Sequence, residues 1–381
     1  MKIDFLAQAN SISKEICEIR KSIHRQPELG NKEYKTAEKI EEFLQNSSIE
    51  TTRLTKTAVM GVLKGKEEGR TVAFRADIDA LPVQEKTDVD FASETDGIMH
   101  ACGHDVHTSA LLGAARILST HKDELKGNVV FLFEPDEEGS GGAKRIIEAG
   151  ALKNVDAVFG AHVSPDLPSG TVGVKFGKFY AASDMFTVKV HGKSSHGAEP
   201  EKGIDSLSAA AKMVLNVKRI PEKFSADRCV ASVGTFNSGT AGNIISDYAE
   251  FSGIIRTLGA ENRADVKNEF KNIIYSIAEK TNTNVEIIIH ESYGGVVNHD
   301  SETQFVKETV EKYFGNVVEI KNPTMTTEDF GCYLDVVSGS FYHIGAGCEA
   351  PLHSPEFLPD ENSLITAAAV HSAVAWEFLM I

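Results

Sequence analysis

The sequence predicts an α/β fold in two parts: a mostly parallel sheet with covering helices, into which a ferredoxin-like (βαββαβ) domain is inserted. A continuous apolar run at 128–133 and a short strand at 155–161 lead directly into polar residues, Glu134-Pro135-Asp136-Glu137-Glu138-Gly139 and His162. Continuous runs of that length suit strands buried on both faces, as in parallel sheets. A third observation carries the inserted part. From Asp184 the pattern changes to alternation, and the elements up to residue 289 run β-α-β-β-α-β. The implied organisation is 1–181, 182–292 and 293–381, with the outer two segments forming one domain.

In chain order, 13–25 reads as a helix with Ile16, Cys17 and Ile23 between charged residues, and 34–44 repeats Ala37, Ile40, Phe43 and Leu44 at helical spacing. Pro27 and Gly30 break the pattern between them, and His24 and Glu28 in that break are read as structural. Strands follow at 59–63 and 71–74, the second running into Arg75-Ala76-Asp77-Ile78-Asp79-Ala80-Leu81-Pro82. Acids leaving the carboxyl end of a strand are well placed for a site, because open α/β sheets gather ligands there. Asp77 is assigned to support behind the site, and Asp79 stands between that role and a solvated loop acid. A helix at 107–118 buries Ala110, Leu111, Ala114, Ala115 and Leu118. The inserted part alternates Phe186, Val188 and Val190 over 185–191, then shows a helix at 204–217, strands at 229–236 and 248–255, a helix at 262–278 and a strand at 285–289. The chain closes with a helix at 302–314, strands at 317–320 and 341–344, and a helix at 362–378. There is no internal repeat and no low-complexity linker.

The length, 381 residues, suits about two domains, and 41% hydrophobic with 25% charged residues is an ordinary globular mixture. A formal charge of −16 excludes a general nucleic-acid surface, which needs clustered Lys and Arg to displace counterions. No export signal is evident in the acid-containing N-terminus, and no apolar run is read as long enough to span a membrane. The five cysteines are scattered and odd in number, which fits a reducing compartment, so a cytoplasmic location is expected.

Chemistry concentrates in Met99–Ala115, where His100, Cys102, His104, Asp105 and His107 fall within eight residues. Thiol and imidazole together suit zinc and similar divalent metals, and a thiolate among such groups is easiest to hold beside a cation. Further candidate ligands come from separate strand ends: one acid of the Glu137-Glu138 pair, His162, and a C-terminal histidine best placed at His353. An exposed acidic turn is the bland reading of Glu134 to Glu138. Five ligands exceed the needs of one tetrahedral zinc, so two metals about 3.5–4 Å apart with a shared ligand are expected. Of the twin glutamates one then ligates while the other takes a proton from water; residue chemistry does not say which. No His-Glu-x-x-His, P-loop or Gly-x-Ser-x-Gly is present, and Gly139-Ser140-Gly141-Gly142 resembles a phosphate cradle only loosely.

Several stretches, in order along nearly the whole chain, resemble the M20 metallopeptidase family and its amidohydrolase branch of N-acyl-amino-acid, hippurate and auxin-conjugate hydrolases. They are His24-Arg25-Gln26-Pro27-Glu28-Leu29-Gly30, the Arg75–Pro82 stretch, His100-Ala101-Cys102-Gly103-His104-Asp105, Glu137-Glu138-Gly139, the loop at His162, Ser195-His196-Gly197-Ala198, Thr327-Glu328-Asp329-Phe330 and Leu352-His353-Ser354-Pro355. The resemblance implies a zinc-peptidase-like catalytic domain with the inserted domain as a lid that also forms a homodimer contact. It places Cys102 as bridging ligand with His104, Glu138, His162 and His353 completing the set for two divalent ions (Zn, Mn, Co or Ni), and Glu137 as general base. It makes His196 the donor that stabilises the oxyanion, a contribution of roughly 3–4 kcal/mol for one donor. Asn243 and Arg256 match positions used toward a substrate carboxylate; Arg256, within a strand, fits a surface ion pair equally well. The implied reaction is hydrolysis of an N-acyl amino acid, with an M20 dipeptidase or aminopeptidase acting on short peptides, and a noncatalytic metal-binding relative, as the alternatives. Ser194-Ser195 where the branch often has Gly-Gly, Thr327 in place of the usual Ser, and the sparse-proline stretch Tyr293–Asn298 depart from the branch near the expected substrate cleft.

Overall fold

A computed structural model describes residues 3–224 and 229–381. The chain forms two compact units, one comprising Met1–Gly177, Asn298–Asn322 and Asp329–Ile381, the other Lys178–Val297 and Pro323–Glu328. The outer segment expected at 293–381 is thus interrupted. Residues 323–328 join the second unit through backbone bonds, Ala181 N–H to Thr326 O at 3.0 Å and Thr324 N–H to Phe179 O at 2.9 Å.

The first unit is built on an eight-stranded sheet in the order Glu50–Arg53, Val59–Lys64, Lys126–Glu134, Glu67–Asp77, Ala157–Ser164, Gly339–Gly345, Val172–Val174 and Val317–Glu319. The four central strands run parallel, and antiparallel pairings enter only toward the flanks. Every residue of Ala157–Ser164 is buried, which is why that segment shows no alternation. Helices His104–Thr120 and Glu361–Met380 belong to the same apolar core, with Leu111, Ala115, Ala368 and Val370 inaccessible. By length and composition Glu361–Met380 could cross a bilayer, contrary to the sequence expectation, but 78% of its apolar window is buried inside the protein, as suits a core helix. The expected helix at 107–118 begins earlier, at His104, because Gly103 turns the chain into it with φ of 85°. A Cβ on Gly103 would also lie 2.5 Å from Val163 Cγ2, so that position accepts only glycine without rearrangement. His162, expected just after a strand, lies inside Ala157–Ser164.

In the second unit, strands Ala182–His191, Cys229–Ser238, Tyr248–Thr257 and Asn284–Glu291 form one antiparallel sheet with Tyr248–Thr257 and Ala182–His191 in the centre. Helices Ser206–Val217 and Ala260–Thr281 cross between strands, giving the β-α-β-β-α-β order and the ferredoxin-like strand arrangement. Phe186, Val188 and Val190 face a core with Met213, Phe251, Phe270 and Ile274, while Met185, just before them, is exposed.

Candidate metal centre

Parallel strand ends in the first unit bring together residues far apart in sequence. In the sheet register Asp77 sits opposite Glu134 and His162 opposite His343. Cys102, in the turn before the helix, has its Sγ 3.3 Å from His162 Nε2. His353 Nε2 lies 3.0 Å from Glu138 Oε1, and the His353 N–H is fixed to the Ala101 carbonyl at 2.8 Å, one residue before the thiol. Cys102, His104 and His162 offer ligand atoms within 4.8 Å of one another, as do Cys102, Glu138 and His353, and as do His104, Glu137 and Glu138. Cys102 is common to the first two groups.

The hydrogen bonds fix which nitrogen each imidazole presents. His162 Nδ1–H donates to the Val163 carbonyl at 2.7 Å, so Nε2 carries the lone pair facing Cys102. His104 Nδ1 is held by Asp79 Oδ1 at 3.2 Å, which aims Nε2 inward. There His104 Nε2, buried without a hydrogen bond, lies 4.0 Å from Glu138 Oε1. A buried imidazole nitrogen without a hydrogen bond, set beside a carboxylate that also meets His353, fits a cation held among them. The donor set, a thiol, imidazoles and a carboxylate, suits zinc and neighbouring transition metals.

The electrostatics of these side chains point the same way. Burial pushes the Cys102 thiol well above its ordinary value, and Glu138 and Glu137 push it further. Burial works against charge on His104, but Asp77, Asp79 and Glu138 raise it to about 10. Burial keeps His162 neutral, well below its usual value. A proton on His104 therefore fills part of the role a metal ion would take, and a bound cation would draw the thiol to thiolate.

Behind the ligands stand residues that the sequence identified in part. Asp79, weighed as a solvated loop acid, is 1% exposed. Its second oxygen accepts the Glu138 N–H at 3.0 Å, so one carboxylate orients two candidate ligands. Asp77 stands one step further back, accepting from His107 Nδ1–H at 2.6 Å and from Arg75 Nη1 at 2.7 Å. His107 spends its other nitrogen on the Val163 N–H at 2.9 Å, which leaves it no lone pair for a metal. Arg75 also donates to Glu134 at 2.7 Å and Asp329 at 2.8 Å, joining three buried carboxylates on one guanidinium. Neither Asp79's two contacts nor the Arg75 cluster carried a sequence signal beyond the acids at a strand end. His24 and Glu28 are structural: His24 bonds Asp105 and Glu85, and Glu28 caps the helix Tyr34–Asn46 through Thr36 N–H at 2.9 Å. The acidic turn is not exposed, since Glu134, Asp136 and Glu137 are buried. Gly142 and Ala143 spend their N–H groups on Asp329, so the loose phosphate-cradle resemblance has no free donors there.

The profile of peptidase family M20/M25/M40 matches residues 73–377. The chain belongs to this family. It is a hydrolase acting on amide bonds, and its cofactors are divalent metal ions. Among its relatives, an N-acetyl-L-cysteine deacetylase of Bacillus subtilis (strain 168) is 36% identical over 94% of this chain and 87% of that protein. Thermostable carboxypeptidase 1 of Saccharolobus solfataricus is 37% identical over 95% of both chains. A crystal structure of a dinuclear metal-binding peptidase of family M20 from Bacillus subtilis superposes with a TM-score of 0.89 at 34% identity, covering 97% of this chain and 99% of that one.

The remaining candidates lie in the second unit. His196, expected on a loop, falls in a two-residue strand, Ser195–His196, paired with Ile244–Ile245. That pairing sets the Gly197 N–H on the Asn243 carbonyl at 2.7 Å, so His196 and Asn243 are neighbours across it. Arg256 is half-buried in Tyr248–Thr257, and its Nη1 is buried with no hydrogen-bond partner; no ion pair to it exists among the described residues.

Proposed function

We propose that this protein hydrolyses the amide bond of N-acyl amino acids, N-acetyl or aromatic N-acyl, to a carboxylic acid and a free amino acid. The observation that carries the reading is the sharing of Cys102 by two separate groups of three ligand-type side chains. Cys102, His104, Glu138, His162 and His353 would hold two divalent ions, with Zn, Mn, Co or Ni as candidates, Cys102 serving both. Bound there, the ions supply Lewis acidity and lower the pKa of water.

The chain's own residues do the rest. Glu137, buried next to Glu138 and within the group formed with His104, takes the proton from the attacking water and returns it to the leaving amine. His196 donates to the oxyanion of the tetrahedral intermediate. Arg256, with an unpaired buried Nη1, and Asn243 hold the α-carboxylate of the amino acid, for which a guanidinium fork is suited. The second unit serves as lid and homodimer contact. Similarity to an N-acetyl-L-cysteine deacetylase favours an acylated amino acid as substrate. Similarity to a carboxypeptidase favours a second substrate, the C-terminal residue of a short peptide, which presents the same acyl-NH and free carboxylate.

The experiment is a substrate panel of N-acetyl and N-benzoyl amino acids against dipeptides, run on the wild type and Glu137→Gln. The reading expects faster turnover of acyl amino acids, and loss of turnover in Glu137→Gln with its metal retained. Preference for free-amine dipeptides, or near-normal rates in Glu137→Gln, would overturn it.

A further inference from the structure

Glu33 is a fully buried carboxylate with no part in the chemistry described so far. It precedes the helix Tyr34–Asn46 at the N-cap position, yet its side chain does not cap that helix. Glu28 takes that task, accepting from Lys35 N–H at 3.2 Å, Thr36 N–H at 2.9 Å and the Thr36 hydroxyl at 3.0 Å. Glu33 instead directs Oε1 to two backbone groups, its neighbour Asn31 N–H and, across 103 positions of sequence, Asp136 N–H, each at 2.9 Å. A carboxyl group is costly to bury, so its placement calls for a compensating contact of consequence.

Asp136 is the residue on which the turn before Glu137 closes. Its φ is 64°, a conformation that non-glycine residues seldom hold without external restraint. Its carboxylate accepts from the Ser140 hydroxyl at 2.6 Å, Ser140 N–H at 3.3 Å and Arg145 Nη2 at 3.0 Å, and its carbonyl accepts from Gly141 N–H at 3.0 Å. Those bonds stay within residues 136–145; the N–H is tied outward, to Glu33. Gly30 packs so closely that a Cβ there would lie 2.1 Å from Asp136 Oδ1. Arg145 Nη1 also donates to Asn31 Oδ1 at 2.5 Å, a second tie between the same two loops. The loop carrying Glu33 is itself moored to the site, since Ala80 N–H donates to the Glu28 carbonyl at 2.9 Å.

Glu137 therefore sits between two backbone N–H groups, each held by a buried acid from another part of the chain: Asp136 by Glu33 and Glu138 by Asp79. We propose that Glu33 is a positioning residue for the general base, fixing the Pro135–Asp136 peptide one residue ahead of Glu137, as Asp79 fixes the Glu137–Glu138 peptide after it. This rests on Glu137 being the base. Burial, with Asp79 adding to it, raises the Glu33 carboxyl to about 7, so the neutral acid is well populated at neutral pH and an amide is a close substitute for it.

The test compares Glu33→Ala and Glu33→Gln with wild type for kcat, KM and bound metal, with Glu137→Gln alongside. Glu33→Ala frees the Asp136 N–H, and a misplaced base costs about 10–100-fold in kcat. KM and metal content should stay near wild type, and Glu33→Gln, which keeps the acceptor oxygen, should restore most of the lost rate. A purely structural role predicts instead a lower melting temperature with wild-type kcat per folded molecule. Should Glu33→Ala not fold, Glu33→Asp, one methylene short of Asp136, carries the same comparison. Wild-type kcat in these shortened variants, or an equal loss in Glu33→Gln, overturns the proposal. An active Glu137→Gln would instead remove the assigned base itself, which separates the two failures.

Discussion

Asp79→Asn tests how far metal affinity depends on the residue behind the ligands. The carboxylate does two things at once: Oδ1 holds His104 Nδ1 at 3.2 Å and Oδ2 accepts the Glu138 N–H at 3.0 Å. An asparagine has one acceptor oxygen and one donor NH2, so it can satisfy His104 Nδ1–H or Glu138 N–H, while its NH2 faces the other donor. Whichever way it turns, one candidate ligand loses its orientation. Removing such a partner typically weakens metal affinity about 10–100-fold, about 1.4–2.7 kcal/mol. Competition against a chromophoric chelator would read this directly, and activity should return toward wild type as free metal is raised. Unchanged affinity in Asp79→Asn would refute the reasoning, since it would mean that neither contact orients a ligand.

Two further outcomes follow from buried charge. Arg75→Met leaves Asp77, Glu134 and Asp329 without their shared guanidinium, all with side chains at most 1% exposed; denaturant melts should show a loss of about 3–5 kcal/mol, as for other buried pairs broken on one side. His24 has its pKa raised from 6.5 to about 9, burial opposing the charge while Asp105 and Glu85 more than offset it. Because the folded value is the higher one, its contribution to stability is complete below the ordinary value and disappears as pH rises through about 9. Wild type should therefore exceed His24→Gln in melting temperature at about pH 6 and converge with it by about pH 10; a gap independent of pH would contradict the assignment.

Much of the molecule was legible from pattern. Residues 128–133 read as a strand covered on both faces because 129–133 are all buried, and 185–191 read as half-buried because Phe186, Val188 and Val190 face a core while Met185 does not. The five ligand candidates stood out because thiol, imidazole and acid are rarely concentrated at strand ends without cause. What pattern could not give is partnership across sequence distance. Asp79 stood between a site residue and a loop acid because nothing local reveals that His104 and Glu138 both come to it. Glu33 carries no signal at all, its partner being an amide hydrogen 103 residues away. The helix was expected from 107 and starts at His104, because nothing local shows that Gly103 takes the positive φ that launches it. His196 read as loop because a two-residue strand is too short to have a period.

The account rests on Cys102 serving two cations at once. Anomalous diffraction from metal-loaded crystals, with metal analysis of the same sample, tests this most directly. Two peaks should appear per chain, each at bonding distance from Cys102 Sγ, about 2.3 Å if the metal is zinc. A single peak, or two peaks of which Cys102 touches neither, would contradict it.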